Sequence, residues 1–369
     1  MNTIERCFGM LGLSLFFLFA IPSISAAQTS ILPKGCTDCH GSETKYPLRG
    51  ARSQYLISGH RNLGNASYAN SDDCQGCHTN EGFIERVKTG KVDVKKFVRY
   101  PSEIGCFTCH APHDTGDFSL RKTSAVTLAN GAKFDRGKGN LCANCHQARR
   151  TPKDEVKPRN IPTASWGAHH GPQADMLTGT NAYEYPGKKY SSSAHALLPQ
   201  ATCVTCHMAL PSGRYSLAPS VGGHSFNVEG EVHEEPKLNN AGCLNSGCHG
   251  EMNQAKGTRF FDRKARTDYD GNGKIETLQQ EVQGLYERLI NDKGSGLLQK
   301  TSPPIYDAKG KFIEGNKTQY PVEIVGALYN YKFVQEDRSK GIHNTTYAVQ
   351  LLMDSIKALD KNFDDSKRP

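Results

Sequence analysis

The sequence predicts a mostly α-helical and coil fold with two unlike parts, a cysteine-rich region of short helices and a helical C-terminal cap. Twelve of the 13 cysteines form six close pairs between Cys36 and Cys248. Successive pairs are separated by 32 to 61 residues, and segments of that length cannot each bury an ordinary core. No cysteine follows Cys248, and strand signals are weak throughout. We therefore expect an N-terminal segment 1–27, a cysteine-rich domain 28–250 and a helical region 251–369.

The first 27 residues are typical of a secretory signal peptide. Arg6 precedes an apolar run over 8–21, and small residues at 25–27 offer a cleavage site. The apolar run is about 15 residues long, shorter than the roughly 20 needed to span a bilayer. A cleaved signal is favoured over a retained anchor, so we expect an exported mature protein that lacks Cys7.

Every cysteine pair is followed directly by a histidine. Export to an oxidising compartment would normally indicate disulfides, but a disulfide framework gives no reason for these histidines. Five pairs have two intervening residues, and the last, Cys243-Leu-Asn-Ser-Gly-Cys248, has four. The six sites are Cys36–Cys39–His40, Cys74–Cys77–His78, Cys106–Cys109–His110, Cys142–Cys145–His146, Cys203–Cys206–His207 and Cys243–Cys248–His249.

This order of residues is what covalent haem attachment requires. Two thiols add across the two vinyl groups of one haem, and the adjacent histidine then binds iron as the proximal ligand. Zinc ribbons also use cysteine pairs, but those combine into four-ligand sites without a histidine after each second cysteine. The sequence therefore predicts six covalently bound haem c groups, of which the one at Cys243–His249 has the least regular motif.

The remaining histidines suffice to ligate each iron from its second face. A six-coordinate haem needs a second axial ligand, usually His or Met, and the chain has 14 histidines but only six methionines. We therefore expect two histidines at every iron. The number of histidines does not require any iron to keep an open axial position. The eight histidines outside the motifs are His60, His113, His169, His170, His195, His224, His233 and His343.

We expect six of these eight to be distal ligands: His60, His113, His169, His195, His224 and His343. His113 lies three residues after His110, too near to reach the same iron from the opposite face, so it should ligate a neighbouring haem. Of the adjacent His169 and His170, one can ligate while the other hydrogen-bonds a propionate, or both can ligate. His233 precedes Glu-Glu-Pro and is the weaker candidate.

Four stretches around these histidines resemble a known family. They are Ser-Gly-His at 58–60, the segments 74–83 and 169–176, and Gly-Ile-His-Asn-Thr-Thr-Tyr-Ala at 341–348. They are similar to the multihaem cytochromes of metal- and nitrogen-oxide-respiring bacteria, and distantly to pentahaem nitrite reductase and octahaem hydroxylamine oxidoreductase. The resemblance implies a role in anaerobic respiration, and a distal-ligand role for His343, because a late Gly-x-His-Asn segment opens a helix in those relatives.

One departure from the family bears on catalysis. Pentahaem nitrite reductases carry a lysine in place of one motif histidine, which opens the active site. Every motif here ends in histidine. The resemblance therefore supports a reductase less well than an electron carrier.

The region after residue 250 contains two segments with helical apolar periodicity, 277–290 and 346–359. We expect both to be helices of a cap that packs on the haem array and is joined to it by His343. The residues that form the apolar faces are Val282, Leu285 and Leu289 in the first segment, and Val349, Leu352, Ile356 and Leu359 in the second.

The segment before the first of these helices follows the start of an EF-hand loop. Asp268, Asp270 and Asn272 occupy positions 1, 3 and 5, and Gly273 occupies position 6. Position 12 is Gln279, where a bidentate glutamate is usual. The pattern indicates either a Ca²⁺ site at the three oxygen-bearing residues or a glycine-rich turn before a helix.

The net charge of +8 does not indicate a nucleic-acid partner. Six haems bring about 12 propionates, mostly ionised at neutral pH, and these would neutralise much of the basic excess. The leading hypothesis is an electron-transfer protein of the periplasm, the outer membrane or the cell exterior. Its partners would be a membrane quinol oxidase or other cytochromes.

Two other functions remain open. One is a reductase of small nitrogen or sulfur oxyanions at a single open haem. The other is a self-associating subunit of a cytochrome filament, in which a spare histidine such as His233 ligates a haem of the next subunit.

Overall fold

The structure is a computed structural model that describes residues 48–62, 72–93, 101–211, 220–232, 234–244, 247–250 and 264–369. The signal segment 1–27, the first motif at 36–40 and His233 lie outside the described residues. Expectations at these positions stay predictions.

Short helices dominate the cysteine-rich region. The motif at 74–78 lies on the helix Asp72–His78, and the cysteines of two further motifs lie on the helices Cys106–Cys109 and Cys203–His207, where residues three apart share a face. Both thiols of a pair therefore point to the same side. The helices are α1 Leu48–Leu56, α2 Gly59–Asn62, α3 Asp72–His78, α4 Asn80–Thr89, α5 Cys106–Cys109, α6 Pro112–Thr115, α7 Gly139–Ala143, α8 Pro152–Glu155, α9 Gln173–Thr178, α10 Ala194–Leu197 and α11 Cys203–His207.

Strands are few in the described part of the chain. β1 Val126–Thr127 pairs antiparallel with β2 Lys133–Phe134, and β3 Glu229–Val232 pairs antiparallel with β4 Glu235–Leu238. The mostly helical and coil fold predicted from the sequence is confirmed.

Three long helices form the C-terminal region: α12 Leu278–Leu289, α13 Val322–Asp337 and α14 Thr345–Leu359. Thr277 begins α12 with a capping box, because its side chain accepts from the Gln280 backbone N–H while Gln280 bonds back to Thr277. Asn344 caps α14 by accepting from the backbone N–H of Tyr347. Both helices begin and end within one residue of the segments predicted, whereas α13 was not predicted.

The main hydrophobic core lies among these three helices. α13 is buried on nearly every side, with Leu328, Tyr329 and Phe333 fully enclosed. Ile161 and Trp166 of the cysteine-rich region join the same core. A second, smaller core consists of Val126, Leu128, Phe134, Ala143, Ala174 and Leu177.

Large apolar side chains remain at the surface of the cysteine-rich region. Leu56 and Phe107 are each 52% exposed and Leu197 is 71% exposed. Phe107 lies inside a motif, and the other two lie close to predicted distal histidines.

None of the described helices combines the length and the apolar character needed to cross a membrane.

Candidate functional site

The described motif cysteines are all free thiols, so no disulfide framework is formed among them. For clarity the motifs are numbered along the chain as site 1 at 36–40, site 2 at 74–78, site 3 at 106–110, site 4 at 142–146, site 5 at 203–207 and site 6 at 243–249. Site 1 lies outside the described residues.

Five histidine pairs are the most regular feature of the cysteine-rich region. Each pair joins the histidine of one motif to a histidine outside the motifs, and the ring centroids lie 5.9 to 6.5 Å apart. The pairs are His78 with His169 at 6.5 Å, His110 with His224 at 6.2 Å, His146 with His60 at 5.9 Å, His207 with His343 at 6.2 Å, and His249 with His195 at 6.2 Å.

These separations fit two imidazoles on opposite faces of one metal ion. A metal–imidazole bond of about 2 Å puts the two ligating nitrogens about 4 Å apart and the ring centroids about 6 Å apart. Ordinary aromatic contacts in this structure also occur near 6 Å, for example Trp166 with Tyr329 at 6.1 Å. The more specific feature is that one motif histidine faces one outside histidine at each of five sites, at a spacing compatible with shared axial ligation.

The second ring nitrogen gives an independent indication. In six of the paired histidines Nδ1 lies 2.6 to 3.3 Å from an oxygen acceptor, so Nδ1 carries the proton and Nε2 is left for a metal. The acceptors are the carbonyl oxygens of Ser119 for His110, His170 for His169, Ile342 for His195 and Phe226 for His207, Gln173 Oε1 for His146, and Asp337 Oδ1 for His343.

Burial keeps several of these imidazoles in the neutral form that binds metals. It lowers the pKa of His60 to about 4, with a further contribution from His146. Burial also lowers the pKa values of His146, His207 and His224. His343 is the exception, since the adjacent Asp337 outweighs burial and raises the pKa of its imidazole.

Two tight turns present distal candidates. His224 lies in a turn after Gly222 and Gly223, whose φ values of 69° and 53° are left-handed. A Cβ at Gly223 would lie 2.1 Å from Gln54 Oε1, and that oxygen accepts from the His224 backbone N–H at 2.9 Å. His169 itself has a φ of 73°, in the left-handed region, and its ring centroid lies 5.4 Å from that of His170.

Hydrogen bonds between two segments position the distal candidates of sites 5 and 6, His343 and His195. His195 donates from Nδ1 to the Ile342 carbonyl at 2.7 Å, one residue before His343. Asn344 accepts from the Ser193 backbone N–H at 2.9 Å, which ties the start of α14 to the segment that carries His195. Residues 341–345 therefore position both distal candidates.

Neighbouring motifs touch in an order that differs from their order in the chain. Cys77 Sγ lies 3.7 Å from the carbonyl oxygen of Asn144, the neighbour of Cys145, which brings site 2 beside site 4. Arg86 reinforces this contact by donating to Cys77 Sγ at 3.1 Å and to the Asn144 carbonyl at 2.6 Å. Cys203 Sγ of site 5 lies 4.0 Å from the Gly139 carbonyl oxygen on α7, the helix that carries Cys142 of site 4.

Two further contacts extend this arrangement. Arg121 donates to the carbonyl oxygens of Phe107 and His110 in site 3, and two residues later the Thr123 carbonyl accepts from Asn140 on α7 at 2.8 Å, so site 3 lies beside site 4. At Gly242 a Cβ would lie 2.2 Å from the Thr205 carbonyl oxygen and 2.8 Å from Cys206 Cα. Only glycine allows this approach, which brings site 6 against site 5. The contacts run 2–4–5–6, with site 3 beside site 4.

The other histidines have different surroundings. His113, expected as a distal ligand, is exposed, and in the described structure its ring faces Phe107 at 5.6 Å rather than a motif histidine. His170 Nδ1 lies 2.8 Å from Glu336 Oε2. Of the two adjacent histidines, it is therefore His169 that pairs with a motif.

Several residues that hold the paired histidines gave no signal in the sequence. Gln173 accepts from His146, and its amide donates to the Glu336 carbonyl at 3.0 Å. The Phe226 carbonyl accepts from His207 at 2.9 Å, and its ring lies 4.7 Å from that of His60. These residues occur in no recurring spacing from the motifs, so only the structure reveals their roles.

The acidic loop before α12 brings three buried carboxylates together. Those of Asp268, Asp270 and Glu281 offer oxygens that all lie within 4.8 Å of one another. Burial raises the pKa of Asp270 to about 6, and the charge of Glu281 adds to this effect. Glu281 lies two residues beyond position 12 of the EF-hand pattern, so the pattern does not predict its place in this cluster.

Comparison with known proteins finds two similar solved structures. No family model matches the chain, and no curated protein does. The outer cell wall cytochrome OcwA is 20% identical with a TM-score of 0.43, and the match covers 83% of this chain and 50% of that one. An undecaheme cytochrome from the S-layer of Carboxydothermus ferrireducens is 18% identical with a TM-score of 0.41, covering 85% and 41%. The chain spans half or less of the length of either structure.

Proposed function

We propose that the chain is a multihaem c-type cytochrome that carries six covalently attached haems and passes electrons one at a time outside the cytoplasm. The haems would belong to 28–250, with 251–369 packed on them as a helical cap. The observation that carries the proposal is the five pairs of a motif histidine with a second histidine at the spacing of shared axial ligation. The oxygen acceptors at Nδ1 support it independently.

The proposed ligand set follows from these pairs. His78 and His169 serve site 2, His110 and His224 site 3, His146 and His60 site 4, His207 and His343 site 5, and His249 and His195 site 6. For site 1 the proximal ligand is His40 and the distal ligand His113, which the other five pairs leave unused.

The chain's residues favour transfer over catalysis. Haem, when bound, would supply a one-electron couple, and the two histidines of each pair would together hold it without leaving a place for a substrate to bind. Backbone and amide oxygens fix the imidazole orientations, so the ligands need little rearrangement when the charge on the metal changes. The protein's part is to hold the ligands rigidly and to keep neighbouring sites in contact.

The motif contacts support a branched route for the electrons. Sites 2, 4, 5 and 6 touch in that order, and site 3 adjoins site 4. Site 4 would then be a junction. Partners would be other redox proteins, among them a membrane quinol oxidase, and the N-terminal segment supports export to the periplasm or the cell exterior.

Haem counting and spin state test the proposal together. We expect six haems per chain by the pyridine haemochrome assay and mass spectrometry, and low-spin ferric signals alone in the electron paramagnetic resonance (EPR) spectrum. A stable high-spin fraction of about one haem in six would contradict transfer at that site and favour a reductase. Fewer than six covalent haems would contradict the cofactor assignment.

We propose Ca²⁺ as a further cofactor at Asp268, Asp270 and Asn272, with Glu281 as an added carboxylate. Hard oxygen donors from such a loop suit this ion. In its absence Lys367 Nζ, 3.3 Å from Asp268 Oδ2, offsets part of the negative charge. Added Ca²⁺ should raise the melting temperature of the chelator-treated protein but not that of Asp270→Asn. An equal response in both would refute the site.

A further inference from the structure

Asp337 is a fully buried carboxylate in direct contact with one of the proposed ligands. It ends α13, its side chain is 0% exposed, and its Oδ1 lies 2.6 Å from His343 Nδ1. Its second oxygen accepts a hydrogen bond from the Ser339 hydroxyl. Both carboxylate oxygens are therefore engaged, and one of them acts on the site 5 ligand.

The Nδ1 partners described for the other paired histidines are uncharged. His110, His169, His195 and His207 donate to backbone carbonyls, and His146 donates to an amide oxygen. Among the paired histidines whose Nδ1 partner the structure describes, His343 alone faces a carboxylate, since the Glu336 carboxylate contacts His170, which lies outside the five pairs. At site 5 the opposite ligand is His207, whose partner is the neutral Phe226 carbonyl.

A carboxylate acceptor changes what the imidazole does as a ligand. It attracts the Nδ1 proton more strongly than a carbonyl, so the ring gains imidazolate character and becomes more basic at Nε2. A more basic ligand stabilises the ferric state over the ferrous state, because ferric iron carries one more positive charge. The C-terminal end of α13 adds partial negative charge at the same place.

We propose that Asp337 acts through His343 to give site 5 the lowest reduction potential among the sites at which at least one Nδ1 partner is described, which are sites 2 to 6. This inference rests on the proposed function. Asp337 is a positioning residue, since it touches the ligand and not the iron. In the half-reaction the ferric site takes one electron from a reductant and becomes ferrous, while the proton stays on Nδ1 and no iron–ligand bond breaks.

The consequence is a step in the middle of the electron route. Site 5 lies between sites 4 and 6 in the contact order. A low-potential site there would be reduced last and oxidised first. It would separate the branched group of sites 2, 3 and 4 from site 6.

A redox titration of Asp337→Asn tests the inference on the holoprotein. Asparagine keeps the size and an oxygen acceptor but removes the charge. With dithionite as reductant and mediator dyes, the lowest-potential component should shift upward by about tenfold or more in its ferric–ferrous equilibrium, which is 59 mV for one electron. One low-spin EPR signal should change with it. That component is assigned to site 5 by its conversion to high spin in His343→Ala.

Glu336→Gln is the matched control. It removes the same charge one residue away, where the carboxylate contacts His170 instead of a proposed ligand. We expect a shift several times smaller than that of Asp337→Asn. Equal shifts in both variants would overturn the inference in favour of a general field effect.

The remaining outcomes also decide the question. If Asp337→Asn retains six low-spin haems and no component moves, the inference fails while the proposed function stands. A wild-type protein without six haems would instead sink the proposed function. If Asp337→Asn does not accumulate, Ser339→Ala takes its place, because losing the hydroxyl donor concentrates charge on Oδ1 and should move the component downward. An unchanged or raised component there would overturn the inference.

Discussion

The cysteine-rich region and the C-terminal region are stabilised in different ways. In the C-terminal helices Leu285, Phe333 and Leu352 are 0% exposed and pack against one another as in an ordinary protein core. Among the described residues between 48 and 125, the buried apolar side chains are only Phe83 and Ala111. The C-terminal region supplies its own apolar interior, whereas the described part of 48–125 buries few apolar side chains of its own, as the proposed haem attachment would require.

The two regions contact each other beside several of the paired histidines. The end of α13 provides Asp337, which holds His343, and the segment between α13 and α14 provides the Ile342 carbonyl, which holds His195. The Glu336 carbonyl holds Gln173. A self-sufficient helical core therefore serves as the rigid base for three of the proposed haem sites, 4, 5 and 6. The C-terminal region acts as the scaffold, and the loops of the cysteine-rich region carry the proposed cofactors.

The largest expected effect comes from withholding haem. In chain produced without haem attachment, amide hydrogen exchange should be fast through the described parts of 48–125, because little apolar burial remains there. Helices α12, α13 and α14 should retain protection. Exchange mass spectrometry of the haem-free and haem-loaded forms measures this. Equal loss of protection in both regions would contradict the comparison.

A cavity in the C-terminal core should have the next largest effect. Leu352→Ala removes a fully buried side chain and should lower the free energy of unfolding by about 2 to 5 kcal/mol. The matched control is Leu197→Ala in the cysteine-rich region, at a side chain that is 71% exposed. In haem-free chain this control should change the free energy of unfolding by less than about 0.5 kcal/mol. Denaturant unfolding curves followed by the tyrosine signal compare the two variants. Similar losses in the free energy of unfolding would contradict the difference between the two regions.

Asp175, at the junction of the two regions, gives a pH-dependent effect. Burial raises its pKa from 3.8 to about 6, although it accepts from the Ala148 backbone N–H at 2.6 Å. The folded state thus binds the proton more tightly, and the contribution of this group to stability falls as pH rises from about 4 to 6. Asp175→Asn abolishes this dependence, so the variant should gain about 2 to 3 kcal/mol on the wild type across that window.

The replacement has a local hydrogen-bonding solution. Asn181 Oδ1 is buried without a partner in the described structure, and turning that amide lets it accept from the new one. Urea melts of both proteins at several pH values give the difference. A difference that is flat with pH, or that moves the other way, would refute the assignment.

The smallest effect is spectroscopic and concerns the ligand planes. The imidazole planes are 87°, 70° and 90° apart at sites 4, 2 and 6, but 43° and 45° apart at sites 3 and 5. Nearly perpendicular planes make the two iron–ligand π interactions equal and give highly anisotropic low-spin EPR signals. More nearly parallel planes give rhombic signals. Three signals of the first kind and two of the second are expected, and uniformly rhombic spectra would contradict the geometry.

Much of the site was predictable because the proposed haem attachment uses a fixed sequence motif. The cysteine pairs and following histidines stand in the sequence as the attachment reaction needs them, and the count of remaining histidines indicates bis-histidine ligation. Five expected distal histidines lie opposite motif histidines in the structure. Assignment of His113 to site 1 stays a prediction.

What could not be predicted depends on tertiary packing. α13 was missed because it is buried on nearly all sides and so shows no alternation of apolar and polar faces. Asp337 and Gln173 act on histidines through contacts that no local pattern encodes. The spatial order of the sites was also inaccessible, since it depends on close approaches such as that of Gly242 to Cys206.

An experimental structure of the haem-loaded protein, with iron located by anomalous scattering, tests the histidine pairing most directly. The pairing predicts one iron between the rings of each of the five pairs, including His60 with His146 and His207 with His343. An iron bound to a motif histidine whose second ligand is not the paired histidine, or is absent, would contradict it.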